Sequence, residues 1–250
     1  MSDTYAAVDA SSAVGEAIEW QERIDHWPAI DRYKAAMDRI VGDASPVIDI
    51  GAGPGLDAAR TGAIAVDSSR AMAARAQSRE VTVAVGDAHR LPFADGAAGA
   101  VRADRVLQHL AEPDAALAEM VRVLRPGGRL VVADPDQGTL SISVPGVPDR
   151  LTESVRRLRR DVGYRNGRLA PQIAGRLAAL GMADVRVEAS VLVLTDPELA
   201  FGLPGWVDYW RDAAGFSDAD DEAWRAALAS SVDDGFVFAV TYLVTSAVKG

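Results

Sequence analysis

The chain has 250 residues, a formal net charge of −10 at pH 7 and no cysteine. This length is sufficient for one large domain with a sizeable core. The lack of cysteine excludes disulfides and thiolate chemistry, and the acidic balance argues against the basic surface that nucleic-acid binding requires. One basic cluster, RLRR at 157–160, lies in a helix-like stretch and is interpreted as a solvated face. Because no apolar run of about 18 residues and no signal peptide occurs, we expect a cytoplasmic protein with no membrane partner.

The first roughly forty residues carry apolar side chains at helical spacing, and Pro28 is expected to break or kink this helix. From Pro46 onward, short β-branched runs alternate with alanine-rich helical ones. The predicted strands are 47–50, 63–67, 81–87, 99–103 and 129–135, and the predicted helices are 56–61, 69–78 and 113–125. This alternation predicts a parallel sheet with helices on both faces, and in such sheets a ligand binds beyond the carboxyl ends of the strands.

The pattern changes after residue 136. A Pro/Gly/Ser-rich stretch at 135–149 precedes a charged helix at 150–161, a helix ending at 180–181 and two long strands, 185–194 and 236–248. The N-terminal helix and the segment between those strands are rich in aromatic residues: Trp20, Trp27, Tyr33, Trp206, Tyr209 and Trp210. These side chains could form a lid over a pocket or pack only on one another, and both interpretations stay open.

Residues 47–55, VIDIGAGPG, form a glycine-rich loop after the first strand. In the dinucleotide pattern G-x-G-x-x-G a third glycine would fall on Leu56, and its absence argues against a nicotinamide cofactor. Gly51, Gly53 and Gly55 instead let the backbone approach a more compact ligand, and Asp49 is available just upstream for an ammonium group.

Acidic residues end the next two predicted strands. Asp67 is placed to accept both hydroxyls of a ribose, and Asp87 suits an adenine amino group. Both assignments are preferred over simple strand-end turns.

Five motifs in order, VIDIGAGPG, AVDSS, GDAHRLPF, ADRVLQHL and VLRPGGRL, resemble class I S-adenosylmethionine-dependent methyltransferases, in particular the small-molecule group related to ubiquinone and menaquinone biosynthesis enzymes. The resemblance is strong over 47–135 and weak over 165–190. It implies an α/β fold: a Rossmann-like sheet of seven strands, mostly parallel with an antiparallel last strand, and helical N-terminal and C-terminal lid segments. Residues 1–250 would form a single methyltransferase domain, with a helical cap at 1–44, a cofactor-binding core at 45–136 and a C-terminal part at 137–250 that carries a helical insertion at about 196–232.

The resemblance also implies a cofactor, S-adenosylmethionine, converted to S-adenosylhomocysteine, and a set of residues that bind it. These are Asp49, Gly51, Ala52, Gly53, Gly55, Asp67, Ser68, Met72, Gly86, Asp87, Ala88, His89, Ala103, Asp104, Arg105 and Gln108. Ordinary helix core is the competing interpretation of Met72. One departure from the family is that only eleven residues separate Gly55 from Asp67, so the first helix of the core should be short.

Methyl transfer needs a base only when the acceptor must lose a proton, and His109 and His26 are the candidates. A satisfied histidine at a helix start is the competing interpretation of His109. No metal-ligand spacing occurs, so metal-independent chemistry is expected. The expected acceptor is a small aromatic or hydrophobic molecule methylated on oxygen, nitrogen or carbon, and the protein is expected to be a monomer or homodimer. Two alternatives remain: a protein of this fold that binds the cofactor without transferring methyl, and a nicotinamide-dependent oxidoreductase.

Overall fold

The computed structural model describes residues 9, 14–205, 211–231 and 235–250. Its seven strands are β1 (Val47–Ile50), β2 (Ile64–Asp67), β3 (Val83–Val85), β4 (Ala98–Asp104), β5 (Leu124–Ser143), β6 (Met182–Leu194) and β7 (Val237–Lys249). They form one sheet in the order β3-β2-β1-β4-β5-β7-β6. Strands β1 to β5 pair in parallel, and β7 runs antiparallel to both β5 and β6. The predicted mostly parallel sheet with an antiparallel last strand is confirmed.

Helices cover both faces of the sheet. They are α1 (Val14–Ile24), α2 (Pro28–Val41), α3 (Leu56–Thr61), α4 (Arg70–Gln77), α5 (Pro113–Val123), α6 (Asp149–Leu158), α7 (Ile173–Ala179) and α8 (Asp218–Ser230). One core cluster combines α2 and α6 with the sheet, and the other combines α5 and α7 with the opposite face. The continuous apolar pattern of β1, buried at every position, follows from this cover on both sides.

Two local sequence predictions about helices are confirmed. Pro28 is the first residue of α2, and the helical pattern is broken between α1 and α2. Proline is tolerated at this position because the first N–H groups of a helix have no partner within the helix. Helix α3 has only six residues and lies between Gly55 and Gly62, both in the left-handed conformation, with φ of +78° and +69°. The short connection between β1 and β2 therefore leaves room for less than two helical turns.

Strand β5 continues beyond residue 135, where the sequence pattern predicts its end. Ser141–Ser143 pair with Val237–Ala239 of β7 after an irregularity that follows Asp136. The Pro/Gly/Ser-rich sequence of this stretch predicts a loop. Pairing with the long antiparallel strand β7 supplies backbone hydrogen bonds to residues 141–143 and makes them part of the strand. The division into a cap at 1–44, a core at 45–136 and a C-terminal part at 137–250 stays a prediction.

Candidate active site

A cavity of about 670 Å³ lies at the carboxyl ends of the parallel strands. Thirteen of the residues expected at the site line it: Gly51, Gly53, Asp67, Ser68, Met72, Gly86, Asp87, Ala88, His89, Asp104, Arg105, Gln108 and His109. They come from four different strand ends, which the sheet order places side by side. The position agrees with the general location of ligands in open α/β sheets.

The glycine loop and the acid after β2 form one hydrogen-bonded unit. Gly53 donates its backbone N–H to Asp67 Oδ2 at 2.8 Å, and Ser69 donates its N–H to Asp67 Oδ1 at 2.9 Å. Burial raises the pKa of Asp67, and these two hydrogen bonds oppose that rise. Each carboxylate oxygen is thereby fixed in place and keeps lone pairs for a ligand diol in the cavity.

The loop approaches the cavity with bare backbone. Gly51 and Gly53 adopt φ of +65° and +53°, which a residue with a side chain rarely does. A Cβ on Gly51 would lie 2.5 Å from Val106 Cγ2, and one on Gly53 would collide with the Gln21 side chain. At Gly51 both the positive φ and Val106 disfavour a side chain, whereas at Gly53 the positive φ is the main constraint, because the Gln21 side chain could move aside.

Asp87 is held less tightly than Asp67. Its Oδ1 accepts the backbone N–H of His89 at 2.9 Å and lies 2.6 Å from the His89 ring Nδ1. The side chain is 64% exposed, and although burial raises its pKa, the hydrogen bonds to His89 lower it below the usual value. Asp87 therefore lies at the rim of the cavity, with His89 alongside.

Five of the expected site residues do not line this cavity: Asp49, Ala52, Gly55, Ala103 and His26. Asp49 and Ala52 line a separate cleft of about 40 Å³ behind the loop. Gly55 faces α4, where an added Cβ would lie 2.9 Å from Ala76 Cα. Ala103 is fully buried in the core beneath the site, and His26 is exposed in the turn between α1 and α2.

The carboxylate of Asp49 belongs to a buried charge cluster that the sequence did not reveal. Arg102 on β4 is fully buried and lies 3.4 Å from Asp49 and 2.9 Å from Asp57. Lys34 on α2 lies 2.9 Å from Asp57 and 3.7 Å from Asp104. These pairs join α2 to α3 and to the end of β4, and they include Asp49 in a cluster behind the glycine loop.

Helix α1 closes one side of the cavity with Trp20, Gln21 and Ile24. Glu22 ties it to α4 and to the segment that follows, because it accepts from Arg75 of α4 and from Arg79 beyond the helix at 2.6 Å each. The ring centroids of Trp20 and Trp27 lie 5.9 Å apart, edge to face, and both rings contact Phe201.

Aromatic residues of α1 and of the turn before α2 thus contact Phe201 beside the cavity, and the prediction of a lid stays open. Trp20 and Phe201 line the cavity, whereas Trp27 packs behind them. Three further members of the expected lid, Trp206, Tyr209 and Trp210, lie outside the described residues.

The other half of the cavity is lined by residues that the sequence analysis missed, among them Gln137, Arg159, Tyr164 and Tyr242. His109 adjoins them, with its ring centroid 5.5 Å from that of Tyr164. The interpretation of 157–160 as a solvated face is wrong for Arg159, which is only 4% exposed. Leu151, Val155 and Leu158 form the buried face of α6, and the same helical spacing, extended by one residue, includes Arg159.

These residues fit S-adenosylmethionine. The two-oxygen acceptor at Asp67 suits the ribose diol, the buried Met72 offers an apolar surface to an adenine ring, and the bare backbone at Gly51 and Gly53 suits the close approach of the methionine part.

Comparison with known proteins gives matches to this part of the chain and to its fold. Residues 48–132 match the family model described as a methyltransferase domain. The chain is 36% identical over 205 residues to an uncharacterized 37.1 kDa protein in transposon Tn4556 of Streptomyces fradiae, covering 76% of this chain and 59% of that protein. It is 41% identical over 112 residues to demethylmenaquinone methyltransferase of Mycobacterium marinum, covering 42% of this chain and 48% of the other.

A solved structure, Haemonchus contortus phosphoethanolamine N-methyltransferase 2 in complex with S-adenosyl-L-methionine, matches with a TM-score of 0.59 at 22% identity. The match covers 100% of this chain and 60% of that one, and it shows a shared fold. The chain spans about half to three fifths of the length of the two curated relatives above.

The sheet order, the glycine loop with its acid and the family match show that residues 48–132 resemble a class I methyltransferase domain. Within this class the matched segment resembles the demethylmenaquinone methyltransferases. In the part of the chain that the structure describes, no helix combines the length and apolar character needed to cross a membrane.

Proposed function

We propose that the chain transfers the methyl group of S-adenosylmethionine to a small aromatic or hydrophobic acceptor. The observation that carries this proposal is the continuity of one cavity, which extends from Asp67 at the end of β2 to the aromatic residues Tyr164, Phe201 and Tyr242. Its volume of about 670 Å³ lies within the usual range of small-molecule sites, roughly 300–1,000 Å³. A nucleoside cofactor and a small acceptor can share such a space.

When bound, S-adenosylmethionine supplies a methyl group that an acceptor oxygen, nitrogen or carbon takes up, while the electron pair of the broken S–C bond stays on sulfur. The chain's own contribution is to align the acceptor at about 3–3.5 Å and to exclude water. Asp67 and the glycine loop fix the adenosine side, and Trp20 with Phe201 cover the opening. Cytoplasmic location, a monomeric or homodimeric state and the lack of nucleic-acid partners stay predictions.

His109 is the proposed proton acceptor where the acceptor atom must lose a proton. It lines the cavity on the short 3-10 helix that follows β4, beside Tyr164. His26 is not included in the proposal, because it is exposed and lies outside the cavity lining. Replacing His109 with glutamine should lower kcat with little change in the affinity for the cofactor, and the loss should diminish at high pH as the acceptor ionises by itself.

The experiment that tests the proposal measures S-adenosylhomocysteine released from S-adenosylmethionine in the presence of a panel of phenols, aromatic amines and quinols. Acceptor-dependent release by the wild-type protein, reduced in Asp67→Ala at cofactor concentrations below saturation, is the expected result. Tight cofactor binding with no release above the acceptor-free rate for any of the panel would favour the alternative of a cofactor-binding protein without methyl transfer. Binding of NAD in place of S-adenosylhomocysteine would favour the oxidoreductase.

A further inference from the structure

Tyr242 of β7 lies in the half of the cavity away from Asp67, which is the acceptor half of the proposed function. It lines the cavity and is 2% exposed. Its ring stacks on that of Tyr33, with a centroid distance of 4.5 Å and an interplanar angle of 13°. The Tyr33 hydroxyl donates to Asp104 Oδ2 at 3.2 Å, which anchors the stack to the end of β4. Because Tyr33 does not line the cavity, it supports the Tyr242 ring from behind.

The hydroxyl of Tyr242 is a hydrogen-bond donor that the protein leaves unused. Among the residues that the structure describes, none forms a hydrogen bond with it. Burial raises the pKa of Tyr242, Arg105 opposes the rise only in part and Asp104 adds to it, so the hydroxyl keeps its proton near pH 7. An enclosed hydroxyl without a partner is costly, and a ligand in the cavity that accepts its hydrogen bond removes that cost.

A second unused donor belongs to Gln137, which also lines the cavity and is 2% exposed. Its Oε1 accepts from Arg159 Nε at 3.2 Å, and its backbone N–H donates to Gly167 O at 3.1 Å. Because a guanidinium nitrogen only donates, the contact with Arg159 fixes which end of the amide is oxygen and leaves Nε2 as the free donor. Within the described part of the chain, Gln137 Nε2 has no hydrogen-bond partner.

Tyr242 and Gln137 belong to one wall of the cavity. The strand register pairs Tyr242 with Pro135, two residues before Gln137, on the neighbouring antiparallel strands β7 and β5. Arg159, which donates to Gln137, also acts electrostatically on Tyr242, so the three side chains lie close together. This wall therefore offers two hydrogen-bond donors beside the aromatic ring of Tyr164.

We infer that the acceptor is an aromatic molecule with a carbonyl oxygen, to which the Tyr242 hydroxyl and Gln137 Nε2 donate hydrogen bonds. A carbonyl oxygen has two lone pairs and no proton, so it accepts from two donors and requires no acceptor in return. This inference rests on the proposed function and names the substrate class of the same site. The competing explanation is that ordered water satisfies both donors and that Tyr242 only packs on Tyr33.

The test measures the binding of two probes of similar shape to protein saturated with S-adenosylhomocysteine. Acetophenone has a carbonyl oxygen where isopropylbenzene has a methyl group. Ligand-observed NMR titrations give both Kd values, and the Kd of isopropylbenzene divided by that of acetophenone measures the preference for the carbonyl. Because removing the carbonyl from water costs the same in every variant, a change in this ratio reports the hydrogen bonds made in the cavity.

Tyr242→Phe deletes the hydroxyl and keeps the ring that stacks on Tyr33. Gln137→Glu keeps an oxygen that can accept from Arg159 and replaces the Nε2 donor with a second oxygen. Each variant should lower the ratio by about three- to ten-fold, the range expected for the loss of one hydrogen bond.

The matched controls make the same two changes at positions that do not line the cavity. Tyr33→Phe deletes the hydroxyl of the other ring in the stack, and Gln77→Glu alters an exposed glutamine at the end of α4. Both should leave the ratio at the wild-type value. An unchanged ratio in Tyr242→Phe or Gln137→Glu, an equal fall in Tyr33→Phe, or no binding of acetophenone to the wild-type protein would overturn the inference. If Tyr242→Phe does not fold, the ratio in Gln137→Glu decides.

Titration of every variant with S-adenosylhomocysteine alone separates this inference from the proposed function. Lack of S-adenosylhomocysteine binding in the wild-type protein contradicts the proposed function itself. Normal S-adenosylhomocysteine binding with the same probe ratio in all variants contradicts only the carbonyl-bearing acceptor.

Discussion

The backbone N–H of Gly53 donates a hydrogen bond of 2.8 Å to Oδ2 of Asp67. The loop after β1 and the acid that ends β2 therefore form one preorganised unit. They lie side by side because Ile50 and Val66 are paired on the neighbouring parallel strands β1 and β2. A carboxylate already held by backbone donors needs little reorganisation when a ligand diol arrives, so its interaction favours binding almost in full.

We predict that Asp67→Ala weakens S-adenosylhomocysteine binding by about 1.5–3 kcal/mol, or roughly ten- to a hundred-fold, because two ribose hydroxyls lose a charged acceptor. Calorimetric titration measures the change. Asp43→Ala, which alters an acid with a 98% exposed side chain at the end of the N-terminal region, should leave the affinity unchanged. Unchanged affinity in Asp67→Ala would remove this residue from the site.

Replacement of Gly53 should mainly affect cofactor binding, whereas replacement of Gly55 should mainly affect the stability of the fold. Gly53→Val should abolish cofactor binding, because the residue has φ of +53° and its side chain would enter the space of Gln21 at the cavity wall. Gly55→Ala should mainly lower the free energy of unfolding, because its Cβ would meet Ala76 Cα of α4 at 2.9 Å. Thermal melting with and without S-adenosylhomocysteine distinguishes the two. Normal stabilisation of Gly53→Val by S-adenosylhomocysteine would refute the role given to the loop.

Removal of the lid aromatic Trp20 should impair acceptor turnover far more than cofactor affinity. Its ring lines the cavity and contacts Trp27 and Phe201, whereas the adenosine half is held by the ends of β2 and β3. Trp20→Ala should therefore raise the KM for the acceptor or lower kcat, with the S-adenosylhomocysteine affinity nearly unchanged.

Trp27→Ala should show a weaker effect of the same kind, because Trp27 acts through Trp20. The control is Trp224→Phe, at a fully buried position packed on Phe216, which should lower stability and leave kcat unaltered. Equal losses of turnover and cofactor affinity in Trp20→Ala would indicate a general structural role for the lid.

Stability should depend on pH through Asp134, whose carboxyl is buried in the middle of β5. Burial, only partly opposed by the hydrogen bond from the Gln108 N–H at 3.3 Å, raises its pKa to about 8. The folded protein then binds a proton that the unfolded chain releases above about pH 4. The contribution of this carboxyl to the free energy of unfolding is fully present below that pH. It decreases as the pH rises towards 8, by at most about 1.4 kcal/mol per pH unit.

Asp134→Asn should flatten this decline, because the amide resembles the neutral carboxyl and does not titrate. Urea unfolding at pH 5 and pH 8 measures the difference, and Asp136→Asn, two residues away and partly exposed, should leave the wild-type slope intact. A slope unaltered in Asp134→Asn would show that this carboxyl is ionised in the folded state.

The parallel half of the fold and the strand-end residues that line the cavity could be predicted from the sequence because they depend on local pattern. Short apolar runs specify β1 to β4, and Asp67 and Asp87 are placed by following those strands directly. The short length of α3 could also be predicted, because few residues separate Gly55 from Asp67.

The acceptor half depends on how distant segments pack, which no local pattern specifies. Arg159 reaches the cavity only because α6 docks on an extended β5, and that extension depends on its pairing with β7. No local pattern singles out Arg102 or Lys34, because only the fold brings Asp49, Asp57 and Asp104 around them. His26 was expected at the site from its helix alone, and the turn between α1 and α2 directs it to solvent.

The most direct test of the central claim, that the cavity at the strand ends holds S-adenosylmethionine, is a pair of calorimetric titrations of the wild-type protein with S-adenosylhomocysteine and with NAD. The structure predicts one saturable site for S-adenosylhomocysteine, to which NAD neither binds nor competes. No binding of S-adenosylhomocysteine, or binding of NAD to the same site, would contradict the account.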